Sequence, residues 1–169
     1  MDLLHHMTEY YKGERLGAIC YTVGGVVFLL LAFAIWKVAE PGTITRGMLI
    51  PVAVVGVLGT LAGPLLLRSN NQRLADFAQE IGNDRAAFLA KELPRMTGVH
   101  RTWLPLKIVW TVLLAAGVVL AFVGGTPIWK GVGLGLLLIG AVGHTVDGIA
   151  SERSRIYVEQ LALDGAPVQ

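Results

Sequence analysis

The stretch IWKGVGLGLLLIGAVGHTVDGIA, residues 128–150, decides the fold. At 1.5 Å per residue about twenty helical residues cross the hydrocarbon core of a bilayer, so this apolar run is long enough to span one. It also carries His144 and Asp147 within about two turns of its C-terminal end. Ionisable groups are costly inside a membrane, and those that occur there are first read as functional.

Three further apolar runs, residues 16–36, 48–67 and 103–123, have similar length. The chain of 169 residues is 54% hydrophobic and 15% charged, with mean hydropathy +0.61, well beyond the balance of a water-soluble domain. The expected fold is all-α: a polytopic membrane protein with four transmembrane helices in two hairpins, packed as a four-helix bundle, plus short cytoplasmic amphipathic helices. The chain divides into an interfacial amphipathic helix (1–15), hairpin one (16–67), a helical connection (68–102), hairpin two (103–150) and a helical tail (151–169).

Basic residues orient these spans. Lys12 and Arg15 precede the first; Arg68, Arg73, Arg85, Lys91, Arg95 and Arg101 lie between the second and third; Arg153 and Arg155 follow the fourth. Only Lys37, Arg46 and Lys130 fall in the other connections. Positive charge stays inside, so both termini are expected in the cytoplasm and the membrane to be a bacterial-type inner (plasma) membrane. Within the inner segments, Leu3, Leu4, Met7, Tyr10 and Tyr11 share a helix face expected to rest on the membrane surface. Leu74, Phe77, Ala78 and Ile81 form a second amphipathic face, Gly82-Asn83 breaks it, and Asn83 or Asp84 caps a third helix that Pro94 ends or kinks. Beyond the last span the helix continues as a wetted extension, closed by Gly165 and Pro167.

An internal repeat is legible. Arg46-Gly47, Gly56 and Gly59 recur as Lys130-Gly131, Gly140 and Gly143, at an offset of 84 residues. Two similar hairpins related by an axis along the membrane normal are expected.

Lys107, one turn into the third span, should lie at the depth of Asp147 and form an ion pair with it, with His144 hydrogen-bonded beside them. Gly59 with Gly63 and Gly131 with Gly135 are GxxxG pairs, and together with Gly56 and Gly140 they mark faces where helix backbones approach closely. Glu92, Pro94, Arg95 and Met96 offer apolar and charged groups together and are candidates for a cytoplasmic partner surface.

Other chemistries find no support. The longest polar gap, residues 68–102, falls short of the on the order of 100 residues of a soluble catalytic domain, and there is no GxSxG nucleophile motif, so no enzyme activity is expected. Asp147-Gly148 with Ala150 lacks the Arg and the spaced aspartates of the CDP-alcohol phosphatidyltransferase signature. The glycines at 131, 133 and 135 follow no strand and make no nucleotide loop. His5, His6, His100 and His144 have no metal-ligand spacing, so neither metal nor cofactor is expected. Nucleic-acid binding lacks both net charge and interleaved aromatics.

What remains is a small non-enzymatic membrane protein that contacts membrane lipids and binds a membrane-embedded or membrane-inserting protein partner. The alternative is a homo-oligomeric channel or small transporter using the polar groups of spans three and four. In outline (four spans, both ends inside, almost no outer loops) the chain resembles the immunity proteins that protect bacteria from pore-forming colicins, which implies capture of a membrane-inserting protein; an accessory subunit of a larger complex fits the same outline.

Overall fold

The computed structural model describes residues 3–165. It is all-helical: α1 (Leu3–Val38), the single turn α2 (Ile44–Gly47), α3 (Leu49–Asn83), α4 (Arg85–Arg101), α5 (Trp103–Val123) and α6 (Pro127–Asp164). Four helical stretches are long and apolar enough to cross a membrane.

Length separates the molecule into two zones. A helix of 36 residues, such as α1, is about 54 Å long, against roughly 30 Å of bilayer hydrocarbon. The surplus of α1, α3 and α6 projects at one end, and there it meets α4. Leu3, Met7, Tyr10 and Tyr11 of α1, Phe77 of α3, Phe88, Leu89 and Met96 of α4, and Tyr157 and Leu161 of α6 form a buried core. Tyr10 stacks on Tyr157 with ring centroids 4.7 Å apart, and Phe77 meets Phe88 edge-on at 5.3 Å. This cap corrects the reading of residues 1–15 as a separate helix lying in the membrane surface. α1 runs unbroken from Leu3 into the first span, and its apolar stripe is covered by protein. An amphipathic stripe is satisfied equally by headgroups or by a neighbouring helix, and the pattern alone does not distinguish them.

Helix boundaries follow local chemistry. Thr43 and Thr126 cap α2 and α6, each accepting a bond from the backbone N–H three residues on, and Gly42, at φ +83°, turns the chain between α1 and α2. The Asp84 carboxylate accepts from the Ala87 N–H at 3.0 Å and starts α4. Pro94 does not end that helix, which continues to Arg101; the proline sits on an exposed face of a turn anchored on both sides by the buried Glu92 and Met96. α6 extends from the fourth span to Asp164 as one helix. Pro167, expected to close the tail, lies outside the described residues.

In the apolar zone α1 packs antiparallel on α3, and α5 antiparallel on α6. The contacts recur at the offset of 84 residues in α3 and α6 and of 85 in α1 and α5. A methyl group added at Gly56 would press on the Leu29 side chain, and one added at Gly140 would press on the same atoms of Leu114. The halves meet where Gly47 abuts Gly131 and Gly135 abuts Pro51, positions that are themselves 84 apart. α2 and the start of α3 therefore run parallel to α6 along a shared seam, stepping through Gly47, Pro51 and Val55 on one side and Gly131, Gly135 and Ile139 on the other.

Candidate functional site

About two turns beyond Ile139 along α6 lies the polar node. Asp147 is 3% exposed and accepts two hydrogen bonds: from the Tyr21 hydroxyl at 2.8 Å and from the Trp110 indole N–H at 2.5 Å. Tyr21 comes from α1 and Trp110 from α5, so one carboxylate ties three helices together. Across the offset of 84 residues the node is one-sided. Gly63, the counterpart of Asp147, packs against the backbone of Ala18 and Thr22. Gly59 touches Gly25 in the first half, whereas its counterpart Gly143 is covered by the Trp110 ring in the second. A glycine-to-glycine contact in one half is thus an indole in the other, and that indole supplies a donor beside the acid.

Lys107 does not take this place. Among the described residues Asp147 has no ion-pair partner, and Lys107 is half-buried without one. The carboxylate is turned toward α1, its two donors are neutral, and a lysine near a helix end can extend to the interface without the cost of desolvating two charges together. His144 is also separate from Asp147: its Nε2 lies 3.0 Å from the Thr111 Oγ1, whose single hydroxyl proton is donated to the Lys107 carbonyl at 2.8 Å, so the oxygen accepts from an Nε2–H. Thr111 is exposed and His144 half-buried, so this pair sits on the outer edge of α5 and α6.

Tyr21 and Trp110 were not singled out from the sequence. The signal was present: both are hydrogen-bonding aromatics well inside apolar runs, away from the interfaces where Tyr and Trp usually gather.

The six glycines read as packing positions all make close contacts. Gly56, Gly59 and Gly63 face α1, Gly131 faces α2, Gly135 faces α3 and Gly140 faces α5. The candidate cytoplasmic surface fares differently, and it is corrected here. Glu92 is 2% exposed and Met96 fully buried, so neither presents a surface; Pro94 is exposed and Arg95 partly so. The Arg95 guanidinium clasps the Glu92 carboxylate through two bonds of 2.7 and 2.5 Å, donates to the Tyr11 hydroxyl at 2.9 Å and lies 5.8 Å from the centroid of the Phe77 ring. These groups lie outside the apolar spans. Burial alone would lower the Arg95 value, but the hydrogen bonds of Glu92 hold it above the ordinary one. Burial, reinforced by the Glu92 carboxylate, pushes the Tyr11 phenol up to about 12. Glu92, Arg95 and Met96 thus form part of the lock of the cap core, and Pro94 alone of the four is exposed.

The histidines are dispersed: His5 meets His6 edge-on, His100 bonds Ser154 and His144 bonds Thr111. Among the described residues no three His, Cys, Asp or Glu side chains converge as a metal site would require.

The node has a measurable role. Asp147→Leu removes the acceptor for two donors, and a double-mutant cycle with Tyr21→Phe should give a coupling of about 0.6–1.7 kcal/mol, the range for hydrogen bonds between membrane helices. Asp147→Asn, which keeps an acceptor oxygen, should lose less. Additive effects of Tyr21→Phe and Asp147→Leu in unfolding titrations would remove the node from the forces joining α1 to α6.

Compared with protein families, with curated proteins and with solved structures, the chain matches none.

Proposed function

We propose that this is a non-enzymatic protein of a bacterial-type inner membrane, built as two transmembrane hairpins with the cap and both termini in the cytoplasm, that works by binding a membrane-embedded or membrane-inserting protein through the outer edge of α5 and α6. The orientation rests on the distribution of Lys and Arg. The binding reading is carried by the His144–Thr111 pair. It is a polar pair on the outside of the bundle at membrane depth, and among the described residues the second ring nitrogen of His144 has no hydrogen-bond partner. In hydrocarbon such a group gains from a complementary polar group on a neighbouring helix, which water cannot supply there. α5 leaves room for that neighbour, since Gly117 is its one buried residue among those described. An immunity-like protein and an accessory subunit both fit this mode of action.

A second reading, a homo-oligomeric channel or small transporter, uses the same edge. Lys107, Thr111 and His144 from several copies would then face one another.

Mass determination of the intact assembly in lipid nanodiscs, with identification of every co-purifying chain, separates the two. The partner reading expects a stoichiometric foreign chain whose retention falls about tenfold in the His144→Leu, Thr111→Val double variant, for the loss of one or two interhelical hydrogen bonds. A closed homo-oligomer without a foreign chain would replace it with the channel reading, and unchanged retention by the folded variant would remove this edge from binding.

A further inference from the structure

Below the Pro51–Gly135 contact the seam parts. Val55 and Gly59 on α3 and Ile139 and Gly143 on α6 line a half-open crevice of about 110 Å³, whose remaining walls come from α1 and from Trp110 of α5. Its mouth lies beside Cys20 and Val142, both exposed. The two side chains in its wall with hydrogen-bonding groups other than the thiol, Tyr21 and Trp110, spend them on Asp147, so the space is bounded almost wholly by hydrocarbon and ring carbon.

Every wall residue belongs to one of the four apolar runs, so the medium outside the mouth is lipid tail. Water would find too few polar partners to settle inside, and an empty hollow forfeits dispersion contacts along its whole lining. A partner helix, about 10–12 Å across, cannot enter between two helices whose backbones touch at one end. An unbranched alkyl chain can. Nor is the space forced by backbone crowding: a Cβ added at Gly24, in the wall, would meet nothing within 4 Å. The fold therefore tolerates a filled wall at this point and carries a glycine instead.

We propose that the crevice holds a stretch of one acyl chain of a membrane phospholipid, entering laterally past Cys20 and Val142 and ending below the point where Pro51 and Gly135 close the seam. The chain replaces the side chains that the wall lacks and joins the two halves of the bundle below the Pro51–Gly135 contact.

The test uses the full chain in nanodiscs of palmitoyl-oleoyl phosphatidylethanolamine and phosphatidylglycerol, released and weighed intact. Wild type is expected to keep one phospholipid mass per chain, and Gly24→Leu, which fills the wall, to lose it about tenfold, while Gly24→Ala keeps it. Because a variant can fail to fold, the same loss is expected when Cys20 of the wild-type protein is alkylated in place with decyl methanethiosulfonate, which delivers a tethered chain to the mouth. Absence of a retained phospholipid, a fatty-acid mass in its place, retention unchanged in folded Gly24→Leu and in alkylated wild type, or a second protein chain crosslinking through Cys20 would each overturn the proposal.

Discussion

Arg95→Leu should loosen the cap by about 3–5 kcal/mol, the cost of leaving one member of a buried ion pair without its partner. Its effect should exceed that of Glu92→Leu. The two residues are unequally placed: the Glu92 side chain is 2% exposed, among Tyr11, Phe77, Phe88 and Met96, whereas that of Arg95 is 28% exposed. A guanidinium deprived of its carboxylate can swing to water, but a carboxylate deprived of its guanidinium stays in the aromatic core. Replacing both with leucine leaves neither charge buried and should recover stability to within about 1 kcal/mol of wild type, since apolar replacements of buried pairs are often neutral. The readout is amide hydrogen exchange along α4, where a loss of this size speeds opening by roughly two to three and a half powers of ten. If the double variant exchanges as fast as Arg95→Leu, the pair is not what holds the cap; equal effects of the two single changes would remove the asymmetry argued from their burial.

The cap also shows where sequence reading stops. The four apolar runs, the break at residues 82–84 and the extension of the last span all follow from composition, helix period and capping, which act within a few residues. The stripe of Leu3, Met7, Tyr10 and Tyr11 was equally plain, but what covers it depends on segments about seventy to one hundred and fifty residues away. Glu92 and Arg95 are three apart, and their pairing is local; that the pair turns inward is not, because it depends on Phe77 and Tyr11 arriving from other helices. At the node, Asp147 was recognisable from its cost in a membrane. Its partners were not, since equal depth favoured Lys107 while the rotation of α5 about its axis brought Trp110. The glycine positions carried best, because close approach demands a missing side chain whichever helix comes near.

That logic is sharpest at the contact between the two halves, where Gly131→Ala is expected to cost about 1–3 kcal/mol as an overpacking change. A methyl group at Gly131 would overlap the carbonyl oxygen of Ile44, and one at Gly47 would overlap that of Ile128. Both obstacles are backbone, so no side chain can rotate away; α2 and α6 must separate. Since Ile44 and Ile128 are also 84 residues apart, the two collisions are images of one another about a single axis, and a single separation relieves both. Gly47→Ala with Gly131→Ala should therefore cost little more than either alone, a coupling that independent sites do not show. Gly148→Ala on the same helix is the reference: its Cβ meets nothing within 4 Å, and the change should be neutral or stabilising by up to about 1 kcal/mol through helix propensity. Reversible unfolding titrations in mixed micelles would measure all four variants. Additive losses at Gly47 and Gly131 would mean that each glycine serves its own helix pair. A shared loss would identify one hinge between the two halves, and because the crevice lies on the same side of the bundle beyond Pro51 and Gly135, widening the hinge should alter how tightly that space closes.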